Sequence, residues 1–122
     1  WMWQQVARLT KGLADGTEGT STALDNSLIV VGNDMNDGAG HQVGGLPFVL
    51  VGSCQGYFKQ GQTIKVGSWT TNKPEAYWDS DQGPASGVPH NLLLASISNA
   101  MDIPCDSFGE GYAGTLDSLV KA

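Results

Sequence analysis

The sequence predicts an α/β fold, and three observations predict it. Met2, Val6, Leu9 and Leu13 fall at helical spacing, two short runs (Leu28–Val31 and Pro47–Val51) are continuously apolar, and "HNLLLASISNAMDI" closes the order with a second amphipathic segment. The first element is a helix over residues 2 to 14, with those four apolar side chains on one face. The Gly/Thr/Ser stretch from Gly16 to Thr22 ends it. Asp25 and Asn26 make a turn into the first strand, Leu28–Val31. Four consecutive apolar residues imply a strand covered on both faces, as in a parallel sheet flanked by helices. A polar loop, Gly32–Gly45, leads to the second strand, Pro47–Val51. That loop is marginal in length for a parallel crossover, so the pairing of the two strands stays open.

"GSCQGYFKQGQTIKVG" reads as a turn and a short hairpin or edge strand, with Tyr57, Phe58 and Ile64 supplying apolar contact. Residues 68–88 read as a long surface loop bearing Trp69, Tyr77 and Trp78, of the kind that often binds a partner or closes over a site. The second helix places Leu92, Leu93, Leu94, Ile97 and Met101 on one side, with Pro89 just ahead of its start. "PCDSFGEGYAG" is a loop, and "TLDSLVKA" a short closing helix or turn. Two or three strands make a thin sheet. The chain, 1–122, is therefore expected to be a single segment, one portion of a larger α/β domain and incomplete as a domain on its own. The opening at Trp1, inside a helical pattern, adds to the expectation of a processed piece.

Composition narrows the function classes. Of 122 residues only 15% are charged and 17 are glycine, which suggests many tight turns and not a helix bundle. The net charge is −6, with no basic patch to hold phosphates, so nucleic acid and anionic membrane surfaces are not expected partners. No apolar stretch reaches the roughly 18 residues of a membrane span. The two cysteines, Cys54 and Cys105, are either one disulfide or two half-buried thiols. A bridge would close a loop of about 50 residues and contribute about 4 kcal/mol on the chain-entropy account. Their spacing fits no zinc pattern.

The chemistry concentrates in "NDMNDGAGH". In an open α/β sheet, ligands bind at the carboxyl ends of strands. This loop follows the first strand, with Asp34 and His41 offering a carboxylate and an imidazole suited to zinc, manganese or iron. Two ligands do not close a site, so further ones would come from Asp37, His90 or other polypeptide. The competing reading is a turn, because Asn, Asp and Gly are the usual turn residues. His90, just ahead of a helix, reads as a cap or packing residue. None of the serines lies in a nucleophile elbow. "GSCQG" imitates one with Cys54 at its centre, but no base can be placed beside it from sequence. The glycines form no phosphate loop or dinucleotide fingerprint.

Taken in order, "ALDNSLIVVGNDMNDGAGHQVGGLPFVLVGSCQGYFKQGQTI" and "PHNLLLASISNAMDIPCDSFGEG" resemble the C-terminal part of the bacterial domain of unknown function fifteen fifty-two family. The likeness spans most of Leu24 to Gly111, with 68–88 as an insertion. More remotely, that family resembles the alkaline phosphatase and sulfatase superfamily. The resemblance implies the C-terminal part of an alkaline-phosphatase-like sheet flanked by helices. It places Asp34 where the superfamily has a strand-end metal ligand, and His41 where it has a later one. Met35 stands at the second ligand position, and a thioether is a poor ligand for hard divalent cations. The nucleophile would lie outside this chain. The resemblance also implies an exported, extracytoplasmic protein, whose oxidising surroundings favour a Cys54–Cys105 disulfide.

The expected function is a non-catalytic surface, structural or complex component that carries an altered or vestigial metal site. The alternative is a metal-dependent phosphate or sulfate ester hydrolase. The partner implied is the remaining portion of its own domain or another protein chain.

Overall fold

A computed structural model of the chain describes residues 1–36, 38–39, 44–66 and 88–121. They form a mixed α/β structure with two helices and two small antiparallel sheets. The first helix, α1, runs Met2–Asp15 as its apolar spacing requires. Gly16 stops it, its N–H donating to Gly12 O. The Gly/Thr/Ser stretch that follows is more than a loop. It folds back as a two-residue hairpin, β1 (Thr17–Glu18) and β2 (Ser21–Thr22). Gly19, with φ 63°, supplies the positive φ that so tight a connection needs.

The turn at 22–26 is built by side chains. Asp25 Oδ2 accepts from both the N–H and the hydroxyl of Thr22, at 2.9 and 2.7 Å, and Asn26 Nδ2 donates to Glu18 Oε2 at 2.7 Å. These bonds hold the Asp25 carboxyl below its ordinary pKa, the backbone bond from Thr22 contributing most and its hydroxyl next.

The two apolar runs form β3 (Ile29–Gly32) and β4 (Phe48–Val51), paired antiparallel with Ile29 opposite Val51 and Gly32 opposite Phe48. The pairing that the sequence left open is thus antiparallel, and the cover on both faces expected of these apolar runs is incomplete. The polar loop simply returns the chain beside itself, which an antiparallel pair permits without a crossover. Neither face is fully covered. Val30 and Val49 belong to opposite faces, because their cross-strand mates are Leu50 and Val31, and each remains about 40% exposed.

After β4 neither the expected short hairpin nor an edge strand forms; among the described residues to Val66 there is no further strand. Gly52–Tyr57 turns sharply instead, and Phe58 makes an isolated bridge to Val120. Lys59 N–H donates to Leu119 O and Lys121 N–H to Tyr57 O, so the chain's last residues clasp the turn. Phe58 sits fully buried at this junction, edge-on to Tyr57.

The second helix, α2, is Asn91–Ala100, shorter than the 90–103 pattern suggested. It ends in a reverse turn. Asp102 has φ 58°, its N–H donates to Asn99 O, and Ile103 N–H donates to Ser98 O, the paired bonds of a Schellman motif with aspartate in the usual glycine position. Leu93, Ala95 and Ser96 are the buried residues, while Met101, expected in the apolar cluster, is exposed. Residues 103–119 wrap this helix. Asn99 bonds Cys105 in both directions at 2.9 Å, and the buried Ser96 hydroxyl accepts from Leu116 N–H while donating to Leu92 O. The closing segment is one 3-10 turn, Asp117–Leu119.

The core among the described residues is small: Cys54, Phe58, Leu93 and Ala95. Large apolar side chains remain outside it, with Met2, Trp3 and Leu9 more than half exposed along α1. No described helix is long and apolar enough to cross a membrane.

Candidate functional site

The loop that leaves β3 carries the residues with chemistry. Asn33 Oδ1 accepts from the N–H of Met35 at 3.5 Å, so the start of the loop has the geometry of an Asx turn. Asp34 projects into solvent and Met35 is half-buried. Asp37 and His41 lie outside the described residues, as do Trp69, Tyr77, Trp78 and the loop 68–88 apart from Val88. The convergence of Asp34 and His41 on a shared point is therefore not part of the described geometry. Among the described residues no three of His, Cys, Asp and Glu are grouped to hold a metal ion. What the described part of the loop contributes toward a cation is one carboxylate, with Met35 beside it.

His90 does not join that loop as a ligand among the described residues. It stands at the position just before α2, where its side chain makes no capping bond and its carbonyl accepts from Leu94 N–H. The imidazole lies near-parallel to the Phe48 ring, centroids 6.4 Å apart. Of the two readings, cap or packing residue, packing is the one found. This contact ties the start of α2 to the first residue of β4.

"GSCQG" takes a shape that explains its likeness to a nucleophile elbow. Cys54 and Gln55 both have positive φ, 47° and 57°, between glycines with φ 102° and 87°. A true elbow continues into a helix that presents the nucleophile. Here the chain continues as a turn to Phe58, and the bonds around it are structural. Gln55 N–H donates to Asp25 O at 2.7 Å, Cys54 N–H to Ser27 O at 3.2 Å, and Ser53 Oγ to Asp25 O at 3.1 Å. The Cys54 side chain is buried, and burial pushes its thiol pKa up. A thiol kept protonated in this way is a poor nucleophile.

Cys105 is half-exposed, and its sulfur donates to Ser107 O. Both cysteines are free, so the disulfide implied by the family resemblance does not form. Cys105 is committed to the loop that wraps α2, Cys54 to the turn after β4.

Sequence reading missed the groups that organise these surroundings. The buried Ser96 hydroxyl anchors Leu116, and no sequence pattern sets it apart from the other serines. Asn99 gave no signal of its double bond to Cys105. The Thr22–Asp25 spacing was the one available clue, since a hydroxyl three residues ahead of an aspartate favours mutual capping.

The chain matches no family model, and neither the curated proteins nor the solved structures give a match to it. The described geometry therefore bears on function through its own residues.

Proposed function

We propose that this chain is a non-catalytic component of an extracytoplasmic protein assembly, a portion of an alkaline-phosphatase-like α/β protein whose metal site is altered or vestigial. The observation that carries the assembly reading is the β3–β4 ribbon. It is apolar on both faces, open on both, and built of strands that a complete domain of this class would bury. The exposed Met2, Trp3 and Leu9 of α1 point the same way, because apolar surface of this kind is ordinarily covered by protein. Export and the phosphatase-like fold are supported by the order of motifs from Leu24 to Gly111.

Of the described candidates for chemistry, Asp34 is a solvent-facing carboxylate, Cys54 is a buried protonated thiol in a structural turn, and His90 packs on Phe48. Among the described residues none of them belongs to a group of three or more His, Cys, Asp or Glu side chains that could hold a metal ion.

Elemental analysis of the intact protein tests the reading. Purified with zinc, manganese and iron supplied, the wild type is expected to hold no stoichiometric metal, and Asp34→Ala and His41→Ala to match it. One equivalent of metal in the wild type, lost in both variants, would overturn the vestigial reading and support a metal site at Asp34 and His41, as the ester-hydrolase alternative requires.

A further inference from the structure

The β3–β4 ribbon has two outer edges, and they are not alike. On the β4 side, Pro47 stands immediately before the strand and lacks an N–H. Gln60 Nε2 donates to Gly52 O, immediately after it, at 2.7 Å. Proline and side-chain cover at strand ends are the ordinary means of blunting an edge. The β3 side has neither. Among the described residues, no hydrogen bond beyond the β3–β4 ladder reaches the backbone of residues 28–32. An extended strand with unpaired N–H and C=O groups has one natural complement, another extended strand.

Charge permits a second copy of this edge to approach. The chain carries a net charge of −6, yet the eight residues from Asn26 to Asn33 hold no charged side chain. A second copy can bring the same segment alongside without placing like charges opposite each other. The same edge run antiparallel about a two-fold axis presents donors to acceptors on both sides, the self-complementarity that an isologous contact requires. Each copy's Val30, half in water beside the edge, would gain cover from its partner.

Resting on the assembly reading above, we propose that the outer edge of β3 pairs with the β3 edge of a second copy of this chain, joining two ribbons into one four-stranded antiparallel sheet. A two-stranded ribbon is marginal in water, whereas four strands lie in the usual range for stable sheets.

Sedimentation of the full 122-residue chain tests this. The wild type is expected to show a reversible monomer–dimer equilibrium that tightens as salt is raised, because copies of charge −6 repel and the contact itself is neutral. Val30→Lys places a charge at the edge and should weaken dimerisation by at least about tenfold. Val30→Thr keeps strand propensity without charge and should retain the dimer. Far-UV circular dichroism unchanged in both shows that the fold is kept. A wild-type chain that stays monomeric at every concentration and salt overturns the proposal, as does a dimer that Val30→Lys leaves intact. A dimer insensitive to Val30→Lys but lost in Leu9→Glu would put the contact on α1, failing the edge while sparing the assembly reading. Failure of the vestigial-site reading shows separately, as stoichiometric metal.

Discussion

Gly52 is the position where one added methyl group tests the most of this fold. It directly follows β4 with φ 102°, and a Cβ built there would run into Ser27 O and come within 2.9 Å of Leu24 O. Both obstacles are backbone, so no side-chain rotation relieves them. A side chain at that φ costs about 1–3 kcal/mol in backbone strain. Making room also means moving the 24–27 turn away from the 52–55 turn. That movement strains the Cys54-to-Ser27 and Gln55-to-Asp25 bonds, at about 1 kcal/mol each. Gly52→Ala should therefore destabilise the protein by about 3–5 kcal/mol, a large part of the roughly 5–15 kcal/mol typical of a domain. Urea unfolding followed by tryptophan fluorescence reads this as a large drop in the midpoint. Gly12→Ala is the control. It lies within α1, with nothing within 4 Å of its added Cβ, and should gain about 0.5–1 kcal/mol from helix propensity. If Gly52→Ala unfolds at the wild-type midpoint, the two turns do not meet as described.

Three further outcomes follow from particular residues. Asp102→Gly removes a left-handed aspartate from the end of α2 and should stabilise by about 1 kcal/mol, read as a rise in the thermal midpoint. Asp25 has its folded pKa lowered by Thr22, so the stability it contributes is present above the unfolded value near 3.8 and is lost as pH falls through the folded value. Stability measured across that acid range should fall more steeply in the wild type than in Asp25→Asn. Native thiol labelling should modify Cys105 at least about tenfold faster than Cys54, because burial keeps the Cys54 thiol protonated and out of reach. Labelling at equal rates would mean that the turn after β4 opens readily.

How much of this was legible in the sequence depended on the range of the interaction. The helix over residues 2–14 was readable because four apolar residues repeat at helical spacing, and the two strands because their apolar runs are unbroken. Their antiparallel pairing was not readable. A run that is apolar throughout carries no face information, and the loop length left both directions open. The turn after β4 was readable, but the short hairpin or edge strand expected beyond it, from Tyr57, Phe58 and Ile64, is not found. Phe58 is indeed in extended pairing, but with Val120, sixty-two positions away, a separation that no local pattern records. α2 stopped short of its apolar pattern because Asp102 can adopt the left-handed conformation that glycine usually supplies. For the candidate site, sequence pointed to the loop after β3 and to Asp34 just beyond that strand. It could not decide between a ligand and a turn residue, because Asx turns and carboxylate ligands draw on the same residue types. In the described part of the loop Asn33 makes an Asx turn and Asp34 faces solvent.

The proposed pairing would make β3 an inner strand of a larger sheet. Amide hydrogen exchange resolved along residues 28–32 and followed as protein concentration rises tests it most directly. The account predicts that protection in β3 climbs with concentration while protection in α2 stays constant. Exchange in β3 that is fast and indifferent to concentration, under conditions where α2 remains protected, would contradict it.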